Sequence, residues 1–264
     1  MHPVLLKLGP LTFHTYGVLL AVVVLAGLWL VQRRGTAAGL DGDALWNLGV
    51  YAVLSAMLVA KVWLVLADWE YYSQHVSEIF SLNTLQSAGT FYGGFLGGVG
   101  VLFFGAWRLK IPFIRVLDVC APSLMLGAAV GRIGCFAAGC CWGKPTEVAW
   151  GVTFTDPYAH QLVGTPLGVA LHPTQLYDSA AALIIFLILL WLTPRQRFTG
   201  QIFATLGLLY GAARLTTEFF RNDPGRTLLF DGAFSLMQVV SVGLILLGTI
   251  LYLRGLRAPE SAAK

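Results

Sequence analysis

Long apolar stretches separated by short polar segments run along most of the chain. A helix that crosses a membrane needs about 20 mainly apolar residues, because the hydrocarbon core is about 30 Å thick and each residue adds about 1.5 Å. The sequence therefore predicts an all-α membrane protein with seven transmembrane helices, over residues 15–32, 45–67, 86–107, 118–140, 176–193, 199–220 and 235–253.

The segment between the fourth and fifth predicted spans is too polar and too rich in turns to cross a membrane. Residues 150–155 alternate in the manner of a short strand, whereas Gly164-Thr165-Pro166 and His172-Pro173 are typical of turns. We therefore expect one polytopic membrane domain over residues 1–264, with residues 141–175 forming a small extracytoplasmic head.

Composition supports a membrane protein and not a nucleic-acid-binding one. Only 11% of the residues are charged, against about 25% in an ordinary soluble domain, and the mean hydropathy is +0.73. The net charge is +4, but the basic residues form no tail or arm that would indicate a nucleic-acid partner. Because Arg33 and Arg34 follow the first apolar run, that run is predicted to be a retained span, not a cleaved signal peptide.

Basic residues outside the predicted spans divide unevenly between the two sides of the membrane. One side has Lys7, Lys144, Arg221 and Arg226, and the other has Arg33, Arg34, Arg108, Lys110, Arg115, Arg195, Arg197, Arg254, Arg257 and Lys264. Loops rich in lysine and arginine face the cytoplasm. The N-terminus is therefore expected outside and the C-terminus in the cytoplasm.

Charged residues inside the predicted spans are the first candidates for function. Arg132 lies within the fourth span, where an arginine costs about 2.5 to 3.5 kcal/mol unless an anionic partner or a wet cavity receives it. Along the sixth span and directly after it, Tyr210, Arg214, Glu218 and Arg221 are four, four and three residues apart and share one helix face. Glu218 is expected to orient Arg214 or Arg221, which leaves an arginine for an anion.

Two readings of this charge set follow. Arg132 and Arg214 on different spans would repel one another unless an anion lay between them, which favours a bound phosphate. Alternatively, the sixth span carries an internal ladder of ion pairs that holds it in the bundle. His14 and Tyr16 likewise are either interfacial anchors or contacts to a lipid headgroup.

The cysteines are interpreted as small packing residues. If residues 135–141 stay helical, Cys135 and Cys140 are about 7.5 Å apart along the axis, which is beyond disulfide reach. No histidine lies at zinc-finger spacing, so no metal and no cofactor are expected. At the start of the fifth span, Thr174 or Asp178 is expected to cap the helix, with capping favoured for Asp178.

The motifs resemble those of the phosphatidylglycerol–prolipoprotein diacylglyceryl transferase family of bacterial inner membranes, over nearly the whole chain. The resemblance rests on residues 14–17 (HTYG), 131–134 (GRIG), 172–177 (HPTQLY) and 210–221 (YGAARLTTEFFR). The chain departs from the family pattern at four polar positions, where Tyr92 replaces a histidine, Cys135 and Ala138 replace asparagines, and Cys140 replaces a glutamate.

The resemblance implies transfer of a diacylglyceryl group from phosphatidylglycerol to the lipobox cysteine of preprolipoproteins, with release of glycerol phosphate. The implied catalytic residues are Arg132 and Arg214 for phosphate, Glu218 to orient Arg214, and Tyr92. The implied partners are phosphatidylglycerol, lipobox signal peptides and the lipid bilayer, and the substrate-binding residues are Arg132, Tyr16, His14, Tyr210, Arg221 and Gln175. The residues leave the acceptor of the thiol proton unassigned, with Tyr92 as the first candidate and His14 as the second.

Two other classes of function remain open at this stage. The replacement of the family histidine by Tyr92 favours a phospholipid-binding or lipid-moving protein that has lost the chemistry. Cys140 and Cys141, expected at the oxidising outer face, would suit a thiol–disulfide oxidoreductase, although no CxxC motif is present.

Overall fold

The computed structural model describes residues 4–8, 11–81, 90–229 and 231–257. Internal contacts divide the chain into two compact units, residues 1–27 with 117–264, and residues 28–116. In the described residues the α-helices are α1 (Thr15–Ala37), α2 (Gly42–Ala67), α3 (Trp69–Gln74), α4 (Phe91–Arg108), α5 (Phe113–Ala138), α6 (Pro157–Val163), α7 (Thr174–Leu192), α8 (Gln201–Glu218) and α9 (Leu236–Arg257). Short 3-10 turns cover Val76–Phe80 and Thr193–Arg195.

The helices confirm the prediction of a mainly helical membrane protein. Among the described residues, five helical segments are long and apolar enough to cross a membrane: Thr15–Ala37, Gly42–Ala67, Phe113–Ala138, Thr174–Arg195 and Leu236–Arg257. The helices α4 and α8, of 18 residues each, lie where the third and sixth spans are predicted. Residues 86–89 of the predicted third span lie outside the described residues.

In the unit of residues 28–116, glycines allow α2 and α4 to approach closely. A Cβ on Gly93 would lie 2.7 Å from the Val59 carbonyl oxygen, and one on Gly97 would lie 2.7 Å from that of Ser55. The Ser55 hydroxyl also donates to the Gly97 carbonyl across the same contact, at 3.1 Å. The close approach of these two helices therefore depends on residues that have no side chain at the contact.

In the other unit, α5, α7 and α8 enclose an apolar core. Asp118, near the start of α5, fixes the beginning of α8, because its carboxylate accepts hydrogen bonds from the backbone N–H groups of Gly200 and Phe203. On α9, Gly248 lies so near α8 that an added Cβ would be 2.7 Å from the Ala204 carbonyl oxygen. The buried core residues are Ala121, Met125, Ile185, Leu189, Ile202 and Leu206.

Residues 141–173, which follow α5 and precede α7, fold as a small cap with its own core. Strand β3 (Val152–Thr153) pairs antiparallel with β4 (Ala170–Leu171), and the buried side chains are Trp142, Phe154 and Leu171. The short strand expected over residues 150–155 is therefore confirmed. Two further antiparallel hairpins were not expected: β1 (Val4–Leu8) with β2 (Leu11–His14), and β5 (Leu228–Leu229) with β6 (Phe234–Ser235).

Candidate functional site

The centre of the candidate site is a carboxylate between two arginines on different helices. The Asp178 Oδ2 atom on α7 lies 3.2 Å from Arg132 Nε on α5 and 3.5 Å from Arg214 Nη1 on α8. The other carboxylate oxygen accepts a hydrogen bond of 2.6 Å from the Thr217 hydroxyl. An ionised side chain within a helical bundle is stable when it has a partner of opposite charge. Asp178 is therefore the anionic partner that Arg132 requires.

Glu218 forms a second centre one turn further along α8. Its carboxylate lies 2.8 Å from Arg214 Nη2, 3.7 Å from Arg221 Nη1 and 2.9 Å from Arg226 Nε. Only 1% of the Glu218 side chain is exposed, so these contacts replace the water that the carboxylate would otherwise bind. The predicted pairing of Glu218 with Arg214 and Arg221 is confirmed.

Arg221 is held by a carboxylate of its own. Its Nη2 and Nε atoms lie 2.6 Å and 2.8 Å from the same oxygen of Asp223. The printed sequence offered no spacing that singled out Asp223 or Arg226. The joined set holds one more cation than anion: Arg132, Arg214, Arg221 and Arg226 against Asp178, Glu218 and Asp223.

The prediction that Asp178 or Thr174 caps α7 is wrong. The residue before this helix is Pro173, no side chain caps its N-terminus, and its first turn has no acidic residue. Asp178 instead points to α5 and α8, as the ion pairs show, and the Thr174 hydroxyl donates to the Cys141 carbonyl oxygen at 2.8 Å. Asp178 lies near the start of a long apolar span, and a carboxylate at such a position usually caps the helix. Its position in the sequence therefore did not indicate that it pairs with arginines on other helices.

The two arginines of the pair differ in accessibility. The Arg214 side chain is 4% exposed and contacts two carboxylates, whereas the Arg132 side chain is 22% exposed. The contact between Arg132 and Asp178 is made at the Nε atom, at 3.2 Å. Arg132 is therefore better placed than Arg214 to contact a ligand. Arg214 is the more tightly fixed of the two, because two carboxylates contact it.

Tyr16 lies beside the C-terminal part of α5, the helix that carries Arg132. Its ring packs against Gly134, where an added Cβ would lie only 2.7 Å from Tyr16 Cδ2. The structure thus brings Tyr16 to the GRIG segment that contains Arg132. His14 ends strand β2, but its side chain lies outside the part of the chain that the structure describes.

The two other tyrosines predicted for the site, Tyr210 and Tyr92, lie on different helices. Tyr210 is half-buried on α8 and packs against the apolar core of its unit. Tyr92 lies in the first turn of α4, in the unit of residues 28–116, with 43% of its surface exposed. The roles predicted for both tyrosines stay predictions.

Gln175 is fully buried beneath the segment that follows α5. Its Nε2 donates a hydrogen bond of 2.6 Å to the Cys140 carbonyl, and its Oε1 is buried without a hydrogen-bond partner among the described residues. This amide therefore holds the backbone of Cys140 in place. Its predicted contact with substrate stays a prediction, and Oε1 is the atom left for it.

The cysteines do not keep the helical geometry from which their separation was calculated. The helix α5 ends at Ala138, Gly139 adopts a left-handed φ of 81°, and the Cys140 N–H bonds back to the Cys135 carbonyl at 3.1 Å. This is a Schellman ending. It reverses the chain and brings the thiol sulfurs of Cys135, Cys140 and Cys141 within 4.8 Å of one another.

The grouping of these thiols changes the chemistry of Cys141, which lies outside the helix. Hydrogen bonding with the Cys135 and Cys140 thiols lowers the pKa of Cys141, and the charges of Arg132 and Arg221 lower it further. Each of these neighbours favours the thiolate over the thiol. The cysteine group and the arginine group are therefore parts of one electrostatic environment.

Apolar helices and a buried, carboxylate-braced group of arginines define a polytopic membrane protein with an ionised site inside its helical bundle. Comparison with known proteins assigns its family. The family model described as prolipoprotein diacylglyceryl transferase matches residues 3–254, and the chain belongs to this family.

Curated relatives match over nearly their whole length. A phosphatidylglycerol–prolipoprotein diacylglyceryl transferase of Clostridium tetani is 31% identical, over 96% of this chain and 97% of its own. Proteins of the same name from Thermosynechococcus vestitus and Geobacillus kaustophilus are 32% and 34% identical, over 97% and 95% of this chain and 94% and 91% of their own. The family resemblance predicted from the motifs is confirmed.

Proposed function

We propose that this protein transfers the diacylglyceryl group of phosphatidylglycerol to the lipobox cysteine thiol of preprolipoproteins and releases glycerol phosphate. The names of the relatives point to this reaction, and the observation in this chain that carries it is the partial exposure of Arg132, in a joined set of charges that holds one more arginine than carboxylates. A membrane-embedded cation next to a partly open surface suits an anionic lipid headgroup.

The reaction needs a cation where the phosphate departs. The acceptor sulfur forms a bond to the glyceryl carbon, the carbon–oxygen bond to phosphate breaks, and its electron pair leaves with the glycerol phosphate. Negative charge therefore grows on the phosphate during the step. A donor fixed in advance at such a position contributes about 2.7 to 4 kcal/mol of transition-state stabilisation.

Arg132 is proposed to contact the phosphate directly. Arg214 is proposed to add positive charge near the phosphate without contacting it. Asp178 holds Arg132 through a contact of 3.2 Å at Nε, and the Arg132 side chain is partly exposed, so its planar group is proposed to contact the phosphate as well. Glu218 and Asp178 together hold Arg214. Because both arginines are oriented before the lipid arrives, little reorganisation is needed during the reaction.

The other predicted contacts complete the proposal. Tyr16, which packs at Gly134, is proposed to hydrogen-bond the headgroup, with His14, Tyr210, Arg221 and Gln175 as further substrate contacts. Tyr92 or His14 is proposed to accept the thiol proton.

The site is proposed to face the outer side of a bacterial inner membrane. Seven spans with the N-terminus outside would place residues 141–175 there as an extracytoplasmic head on a single polytopic domain. Arg254 and Arg257 in the last turn of α9 support a cytoplasmic C-terminal end.

Transfer in a purified system tests the proposal. The protein in phosphatidylglycerol-containing nanodiscs is incubated with a synthetic lipobox peptide, and the peptide mass is followed together with released glycerol phosphate. We expect a diacylglyceryl mass increase on the peptide and none on a matched peptide with serine in place of cysteine.

The same experiment distinguishes the transferase from a protein that only binds or moves phospholipid. A protein that only binds or moves lipid would retain phosphatidylglycerol but yield neither the modified peptide nor glycerol phosphate. Rescue of lipoprotein processing in a transferase-depleted bacterium provides an independent check, and failure in both assays would contradict the proposal.

A further inference from the structure

The three clustered cysteines form a group of thiols that the proposed reaction does not use. Cys135 lies in the last turn of α5, and Cys140 and Cys141 follow Gly139 in the reversed segment. All three are free and half-buried, whereas the fourth cysteine, Cys120, is buried elsewhere on α5. The group therefore consists of thiols that a small ion could reach.

Several backbone contacts fix the positions of these thiols. Cys141 adopts a φ of 64°, a left-handed conformation that residues other than glycine seldom adopt and that persists only where neighbours impose it. Its carbonyl accepts from Thr174, and the Cys140 carbonyl accepts from Gln175. The side chains at the start of α7 thus hold both carbonyls, and the cysteine loop is organised in advance.

The spacing of the sulfur atoms matches one face of a tetrahedral metal site. A tetrahedral ion with metal–sulfur bonds of about 2.3 Å keeps its sulfur ligands about 3.8 Å apart. Here the Cys140 and Cys141 Sγ atoms are 3.5 Å apart, and all three sulfurs lie within 4.8 Å of one another. Movements of less than about 1 Å would complete the geometry, and thiolates favour zinc and other soft ions over magnesium or calcium.

Arg132 supplies a charge that such a site needs. A divalent ion with three thiolates has one net negative charge, and Arg132 lies three residues before Cys135 on α5, so their side chains share a helix face. A helix that continued through residues 135–141 would keep these thiols apart. Without the reversal at Gly139 the three sulfurs would not meet.

We infer that Cys135, Cys140 and Cys141 together bind one thiophilic metal ion of the zinc type, with its fourth position left to an exogenous thiol. Catalytic zinc sites have this form, with three protein ligands and one open position. The identity of the thiol rests on the proposed function, which makes it the lipobox cysteine. The site lies beside the arginine proposed to hold the phosphate.

The ion would activate the acceptor without any change in oxidation state. The lipobox thiol loses its proton to the acceptor of the proposed function, Tyr92 or His14, as its sulfur binds the ion, because a coordinating thiol is deprotonated. The thiolate then forms the carbon–sulfur bond while the carbon–oxygen bond breaks, and the electron pair leaves on glycerol phosphate. The thioether is a weaker ligand than the thiolate and departs.

Metal binding by the full-length protein tests the site without any turnover. The reduced protein in detergent is stripped with a chelator and titrated with Co²⁺, whose thiolate charge-transfer and tetrahedral d–d absorption report the ligands, and Zn²⁺ is then added in competition. We expect one Co²⁺ per chain with a three-sulfur tetrahedral spectrum, displaced by Zn²⁺. The variants Cys135→Ser, Cys140→Ser and Cys141→Ser should each lose at least about tenfold in affinity, consistent with the loss of a ligand.

Cys120→Ala is the matched control, because this thiol lies outside the cluster and should leave metal binding unchanged. A thermal melt of each variant shows whether it is folded. The metal site would be overturned if the protein bound no Co²⁺ after its cysteines had been reduced. It would also be overturned if the folded serine variants bound Co²⁺ as tightly as the unchanged protein.

The fourth position is tested by adding the lipobox peptide to the Co²⁺ protein. The cysteine peptide should shift the d–d bands, and the serine peptide should not; an unchanged spectrum with both would overturn the assignment of the open position to the acceptor thiol. Because these readouts need no product, a protein that binds the ion and the peptide but forms no thioether would contradict the proposed transfer and support the metal site.

Discussion

Arg132 and Arg214 contact the same oxygen atom, Oδ2 of Asp178, from two different helices. The anion between the two arginines is therefore part of the protein. This corrects the argument that two arginines in the bundle require a bound phosphate to offset their repulsion. What remains in favour of a phosphate site is the partial exposure of Arg132 and the single surplus cation in the joined network.

Removing the Asp178 charge should destabilise the protein. In Asp178→Asn the arginines lose their shared counter-ion, and breaking a buried ion pair by changing one partner costs about 3 to 5 kcal/mol. We expect a clear fall in the melting temperature and loss of transfer. Glu147→Gln, at an exposed carboxylate, is the control, and an unchanged melt in Asp178→Asn would show that Asp178 is not needed to hold the arginines.

Replacing Arg132 by lysine should separate function from stability. Lysine keeps the positive charge but lacks the planar group that contacts Asp178 at Nε and that is proposed to contact a phosphate at the same time. We expect transfer to fall about 100- to 1,000-fold, which corresponds to the loss of one fixed donor in the transition state. The thermal melt should change little because this side chain is partly exposed.

Arg214→Lys should affect both properties, because Arg214 is buried and contacts Asp178 and Glu218 at once. A lysine ammonium cannot reach both carboxylates in the same geometry. We therefore expect a lower melting temperature together with a loss of transfer. Near-normal turnover in either lysine variant would show that the arginine concerned does not support the reaction.

The helix periodicity predicts the contact between Arg214 and Glu218, which are four residues apart within α8. Arg221 lies beyond the end of α8 at Glu218, and its side chain still comes within 3.7 Å of the Glu218 carboxylate. Asp178 was missed because its partners lie 46 residues before it and 36 after it in the printed sequence, and only the packing of three helices brings them together. The cysteine cluster had a readable signal in Gly139, since glycine commonly ends a helix in a left-handed turn.

The predicted orientation can be tested with two reporters. A compartment-sensitive reporter fused after Lys264 should report the cytoplasm, because loops rich in basic residues stay inside. A small tag inserted after Ala149 should be accessible from outside in intact spheroplasts. Ala149 is exposed, whereas Thr165 is buried and its hydroxyl bonds to the Gly139 carbonyl, so an insertion there would disturb the fold.

Both reporters on the same side would contradict the predicted number of spans. Exchange of the two results would reverse the orientation and place residues 141–175 in the cytoplasm. A lysed sample, in which both reporters are accessible, shows that each is functional.

Two glycines in the same helix offer a matched test of the role of Tyr16. In Gly134→Ala the added methyl group would lie 2.7 Å from Tyr16 Cδ2, so the ring must move, whereas a Cβ at Gly131 meets no atom within 4 Å. Both changes replace glycine by alanine within α5 and should give the same small gain in helix stability, about 1 kcal/mol or less. Their difference therefore isolates the displacement of Tyr16.

We expect Gly134→Ala to raise the KM for phosphatidylglycerol several-fold, and Gly131→Ala to leave transfer unchanged. Tyr16→Phe, which keeps the ring but removes the hydroxyl, should reproduce the KM effect if the tyrosine binds the headgroup through its O–H. If Gly134→Ala impairs transfer while Tyr16→Phe is as active as the unchanged protein, Tyr16 acts by packing the end of α5, as an interfacial aromatic would, and the headgroup contact belongs to another residue.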